Sequence, residues 1–292
     1  MFDPTHVGNV KFDAVKFWKL VDKQTKSVTP VLFAILNLQG IDHGIVLKEN
    51  KDGIADQLVI DRLKHMCGLE PMHTAMLRIP FGVALNVETG QYEAFEKQNT
   101  EYFMFRAKFR KLANGKVKFI KEPNLLDYDQ ELVQYREFRI ELFKILVFHW
   151  LIGFESSIEN IVVRDGLPMA IGDYRLFNGS PKPEFVQLVL GNLIKNDKHE
   201  DLEILLEAVN EVKGHFDFDN MRGCLLLSRK EETDLNHRHP RMRLSGPVRD
   251  FAINIEQRLD FISECTDGDV KNPFRSNTIK EFIEQLLTGF KG

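Results

Sequence analysis

Apolar positions change their spacing along this chain. Up to residue 121 they come in short runs, two within 28–48 and others at 74–79, 83–86, 102–109 and 116–120. Runs of that length, bounded by turn residues, predict strands. Gly40 and Gly44 punctuate the turn between the two strands of 28–48, and Thr89-Gly90 and Asn114-Gly115 mark later turns. One helical stretch interrupts the strands at 53–68, where Ile54, Leu58, Leu63 and Met66 fall on or near one stripe and Gly68 supplies the stop. A weaker helical spacing at Phe12, Val15, Phe17 and Leu20 predicts a leading helix within residues 1–27. From about residue 124 the period is helical throughout. Asp127 to Ile152 reads as one long helix or two consecutive ones, with His149 and Trp150 packed into the core. Further helices are expected at 184–195, 199–214, 247–264 and 278–290. Pro183 suits a first turn, and Thr278 with Glu281 forms a capping box. The expected class is α+β, with a β-rich lobe over 1–121 that contains one helix, and a mainly helical lobe over 122–292.

Residues 141–177 hold the chemistry. The pattern there is a helix ending at Gly153, a polar loop closed by Asn160, a strand, an Asp165-Gly166 turn and a second strand running to Asp173. Two short strands joined by Asp-Gly bring Asn160 and Asp173 together. An amide oxygen and a carboxylate at one point are hard donors suited to Mg²⁺, which commonly also holds substrate phosphates.

This stretch resembles the catalytic centre of the protein-kinase-like superfamily, in particular its atypical branch. That branch includes phosphoinositide kinases, actin-fragmin kinase and kinase-like proteins of large DNA viruses. A helix runs there into a G-D-x-x-x-x-N loop, a strand, a Gly turn and I-D. The matching letters are Gly153, Phe154, Glu155, Ser156, Ser157, Ile158, Glu159 and Asn160, then Asp165-Gly166, then Ile171-Gly172-Asp173. The resemblance implies a two-lobed kinase-like fold that binds ATP with Mg²⁺. Asn160 and Asp173 would be the metal ligands, and Asn160 and Asp173 respectively belong to the cofactor-binding and catalytic sets. Lys48, closing Ile45-Val46-Leu47-Lys48, would pair with the phosphates and with a helix carboxylate, Asp56 or Asp61, of which Asp61 is preferred. Glu155 would take the place of the family's catalytic Asp.

The departures weigh equally. Glu155 is one methylene longer than Asp, the loop lacks its usual basic residue, and Glu159 adds negative charge. Asp173 is followed by Tyr174-Arg175 rather than Phe-Gly, and the segment beyond it is short, with no Ala-Pro-Glu element. No G-x-G-x-x-G stands before Lys48.

Composition adds bounds. The net charge of −4 argues against a chain built wholly for nucleic acid, though basic segments at 106–121 and 236–243 offer surfaces for an acidic partner. In the first, Phe alternates with Lys or Arg. That pattern fits nucleic-acid-binding strands, but fits a half-buried strand with a charged outer face better. Cys67, Cys224 and Cys265 are scattered and odd in number, which implies a reducing compartment without a disulfide framework. The longest apolar run, Ile145 to Phe154, is too short to span a membrane, and no apolar leader is visible. The chain is expected to be cytoplasmic or packaged in a virion.

Three readings follow. The favoured one is a degenerate kinase, a pseudokinase that acts as a binding or structural component. The second is an active phosphotransferase that moves the ATP γ-phosphate to a protein or lipid hydroxyl. The third is a non-kinase scaffold with a basic surface for nucleic acid.

Overall fold

A computed structural model describes residues 15–18, 31–38, 41–49, 56–72, 75–79, 83–85, 92–94, 100–114, 117–128, 134–171, 175–196, 199–216, 219, 221, 244–266 and 277–288. The α+β class expected from the sequence is observed. Described residues of Met1–Ile54 and Met72–Lys121 form one compact unit, and those of Ala55–Pro71, Glu122–Asp234 and Arg243–Gly292 form another.

The first unit is built on a five-stranded antiparallel sheet. Its strands are β1 (Val15–Trp18), β2 (Val31–Leu38), β3 (Ile41–Glu49), β4 (Ala75–Ile79) and β7 (Thr100–Arg106), in the order β1-β2-β3-β7-β4. Two small hairpins accompany it, β5 (Val83–Leu85) with β6 (Tyr92–Ala94), and β8 (Phe109–Lys111) with β9 (Val117–Phe119). Val15–Trp18 pairs with β2 from Val15↔Leu36 to Trp18↔Phe33, so a strand stands where helical spacing suggested a helix. Val15 and Phe17 are two apart, which suits a strand equally, and pairing with β2 decides the outcome. The expected strand at 102–109 is instead two, interrupted at Ala107-Lys108. Close backbone approach explains the interruption. The Ala107 N–H donates to the Gly44 carbonyl at 2.8 Å, and a Cβ on Gly44 would lie 2.5 Å from the Ala107 oxygen.

The second unit is helical around α2 (Arg136–Leu151). From Leu142 to Leu151 every residue of α2 is buried, including His149 and Lys144, whose ammonium pairs with Glu141 at 2.8 Å and Glu211 at 3.1 Å. Each large apolar side chain of the helix removed from water contributes roughly 1.5–3 kcal/mol. The other helices are α1 (Asp56–Met66), α3 (Pro183–Asn196), α4 (His199–His215), α5 (Val248–Thr266) and α6 (Asn277–Thr288). Trp150 is fully buried, edge-on to Phe282 of α6, and its indole N–H donates to the Gln285 carbonyl at 3.2 Å. The long helix expected from Asp127 begins instead at Arg136, after a 3-10 turn at Leu125–Asp127 capped by Asn124.

Helix α1 groups with the helical unit. The reason lies in buried polar contacts. Asp56 accepts the Leu176 N–H at 2.9 Å, the Ser245 N–H at 2.8 Å and the Ser245 hydroxyl. The Lys64 ammonium donates to the Ala170 carbonyl at 3.0 Å. The helix ends as the sequence predicts. Gly68 at φ +68° closes a Schellman motif, with Leu69 N–H on the Lys64 carbonyl at 2.9 Å and Gly68 N–H on the His65 carbonyl at 3.2 Å.

Candidate functional site

The second unit places the loop at 153–160 through the end of α2. Gly153 adopts φ +60° and closes another Schellman motif, in which the Phe154 N–H bonds the His149 carbonyl at 2.8 Å and the Gly153 N–H bonds that of Trp150 at 3.2 Å. Phe154 then turns inward, edge-on to the buried His149 ring at 5.1 Å. The chain emerges at Glu155, and a 3-10 turn at Ile158–Asn160 delivers it to β10 (Ile161–Arg164). Strand β10 pairs with β11 (Leu167–Ala170) from Ile161↔Ala170 to Arg164↔Leu167. Asp165 at φ 53° and Gly166 at φ 85° make the two-residue turn, as positive φ at both central positions requires.

That register carries the ladder one pair further. The Ile171 N–H donates to the Asn160 carbonyl at 2.7 Å, so Asn160 is held beside the segment that leads to Asp173. The turn before Asn160 is tied down from outside, since the Asn124 amide donates to the Glu159 carbonyl at 2.8 Å. Asn160 is half-buried, and its side chain makes no hydrogen bond among the described residues. An amide oxygen is a hard donor of the kind Mg²⁺ takes. Asp173 lies outside the described residues, as does the basic segment 236–243. Among the described residues, no group of three or more His, Cys, Asp or Glu side chains could hold a metal ion.

Glu155 is fixed differently from an open catalytic base. Residues 152–156 run beside 177–182 and are bonded to them repeatedly. Phe177 N–H donates to the Ile152 carbonyl at 2.9 Å, Gly179 N–H to Gly153 at 3.0 Å, and Lys182 N–H to Ser156 at 2.9 Å. In return the Glu155 N–H donates to the Asn178 side chain at 3.2 Å. A Cβ on Gly179 would sit 2.9 Å from the Glu155 Cβ, so only glycine allows this approach. The Glu155 carboxylate is 3.6 Å from the Lys182 ammonium, and both side chains are about half exposed. An exposed pair at that distance contributes roughly 0–1 kcal/mol, so the backbone bonds fix the segment more than the charges do.

Aromatic packing holds the same segment in place. Phe177 is at φ 51°, an uncommon conformation for a side chain of that size. It stacks on Phe251 at 5.8 Å. The Arg258 guanidinium lies 5.3 Å from the centres of both the Phe177 and Trp150 rings and donates to the Trp150 carbonyl. Burial pushes the Arg258 pKa down to about 10.

The remaining expected site residues fall in both units. Lys48 is half-buried near the end of β3 in the first unit, opposite Val31 on one side and Phe103 on the other. Asp61 is buried in α1 of the second unit. Asp56, the other candidate carboxylate, is committed to Leu176 and Ser245. Sequence reading missed Lys64, Asn178 and Lys182. Lys64 is spaced onto the face of α1 with Ile60, and a Lys among buried apolar positions was the available signal.

No protein-family model matches this chain, and no curated protein matches it. Solved structures do. One is described as the crystal structure of a Helicobacter pylori proinflammatory kinase, CtkA, with 10% identity and a TM-score of 0.36 over 80% of this chain and 87% of that one.

Proposed function

We propose that this chain is a degenerate kinase, a pseudokinase that binds ATP with Mg²⁺ but serves as a binding or structural component. The observation that carries this reading is the pinning of Glu155. The residue at the family's catalytic-base position has its peptide N–H held by Asn178, its Cβ against Gly179 and its carboxylate near Lys182. A base must come within hydrogen-bond reach of the acceptor hydroxyl, and displacement by about 1 Å can cost roughly a hundredfold in rate. The half-buried Asn160, with its backbone bonded to Ile171, supports retention of the nucleotide side of the site. Asn160 and Asp173 would hold Mg²⁺, which supplies charge neutralisation on the phosphates, and Lys48 would hold the phosphates themselves.

The alternative is an active phosphotransferase with Glu155 as base. The exposure of the Glu155 carboxylate favours it, because an exposed carboxylate can still meet a substrate. Single-turnover assays with ATP and Mg²⁺ on the full chain and on Glu155→Gln separate the two. The pseudokinase reading expects no transfer or hydrolysis by either protein. Turnover by the natural chain that falls at least a hundredfold in Glu155→Gln would overturn it.

A further inference from the structure

The β8–β9 hairpin of the first unit carries an arrangement that the nucleotide site does not use. Phe109 stands opposite Phe119, Arg110 opposite Lys118, and Lys111 opposite Val117. The two rings turn inward, where Phe119 meets Phe33 at 5.0 Å and Phe109 at 6.1 Å, over the buried Ile35 and Val117. Alternation therefore sends Arg110 and Lys118 to the outer face, where both are exposed. Like charges directly opposite each other on a strand pair are destabilising. Lys111 is paired with Asp42 at 2.7 Å, whereas Arg110 and Lys118 are in no ion pair among the described residues.

The outer face continues by one more pair. The Ile120 N–H donates to the Lys108 carbonyl at 2.9 Å, which sets Ile120 opposite Lys108 and on the same face as Arg110 and Lys118. Ile120 is 48% exposed, and Lys121 beside it is also exposed. A single-stranded nucleic acid would need rings on this face for its bases to stack on, and the rings are all inside. The exposed apolar group is instead an aliphatic one flanked by cations.

We propose that this face docks peripherally on an anionic lipid surface, with Arg110 and Lys118 against the headgroups and Ile120 entering the interface. Charge complementarity and the like-charge register, in no ion pair among the described residues, carry the inference. It is independent of the nucleotide site. Each cation near an acidic leaflet contributes roughly fivefold in partitioning.

Co-sedimentation of the full chain with phosphatidylcholine vesicles, with and without phosphatidylserine, tests the docking. Lys118→Glu is the informative variant, because it places an opposite charge across from Arg110 and so keeps the hairpin folded while removing attraction. The natural chain should bind only the phosphatidylserine vesicles, and high salt should release it. Lys118→Glu should weaken binding about 25-fold without lowering the melting temperature. Ile120→Gln should weaken binding to the same vesicles at low salt. Equal binding to neutral vesicles, or unchanged binding by Lys118→Glu, would overturn the proposal. Competition by duplex DNA combined with unchanged vesicle binding by Ile120→Gln would overturn it in favour of nucleic acid.

Discussion

Individual residues at the loop show how backbone geometry and burial are balanced. Gly153 combines φ +60° with a space in which an added Cβ would lie 2.9 Å from the Phe177 Cα. Gly153→Ala should destabilise the chain by roughly 1–3 kcal/mol, read by urea denaturation, because strained backbone and backbone contact act together. Asp56 makes a different case. Burial raises its carboxyl pKa above the ordinary 3.8, and the bonds from Ser245 and Leu176 offset that only in part. The folded chain then holds a proton over a pH range where the unfolded chain has lost it. Stability from this group is complete below about pH 3.8 and declines as pH rises to the folded-state value. Asp56→Asn should flatten that slope in denaturation measured between acid and neutral pH. It should also cost roughly 1–3 kcal/mol at neutral pH, since an amide cannot accept all three donors that Asp56 now receives. Asp56 and Lys64 also mark where local reading ends. Local reading offers Asp56 as a partner for Lys48 or as part of a solvated helix face, whereas its partner Ser245 is 189 residues away.

At the scale of elements, periodicity and turn chemistry were legible. The Gly68 and Gly153 helix ends, the Asp165-Gly166 hairpin and helices α3 to α6 lie within a few residues of where the pattern puts them. Val15–Trp18 was not, because two apolar residues separated by one suit either period until β2 supplies a partner. The affiliation of α1 was not legible either, since it depends on contacts far apart in the chain. The Lys64–Ala170 bond joins α1 to the end of β11 across 106 positions. Lys64→Ala should therefore loosen the hairpin that presents Asn160. Hydrogen exchange at the Ile171 amide, now bonded to Asn160, should speed up several-fold, with a loss of roughly 1–3 kcal/mol in stability. Unchanged exchange would mean that the hairpin stands without α1. Asn178→Ala tests the other contact of the loop. It removes the acceptor of the Glu155 N–H and should speed exchange at Glu155 while leaving α2 protected.

For the whole molecule, the α+β class was readable from the switch in apolar spacing near residue 124, and the helix-loop-hairpin of 141–177 was readable from its letters. The geometry adds that residues 152–156 are bonded along their length to residues 177–182, whose partners no local pattern announces. Under the proposed function, catalytic and nucleotide roles are thereby separable. The contacts with residues 177–182 fall on Glu155, while the Asn160 side chain makes no hydrogen bond among the described residues.

The most direct measurement is thermal unfolding of the full chain with ATP, with and without Mg²⁺, for the natural sequence and for Asp173→Ala. Ligand at about ten times its dissociation constant stabilises the bound state by roughly 1.4 kcal/mol, which for a chain of this size is a rise of about 2–4 °C. A pseudokinase that keeps its nucleotide site should show that rise only with Mg²⁺ present and should lose it in Asp173→Ala. No rise in either protein at millimolar ATP would contradict a nucleotide site at Asn160 and Asp173.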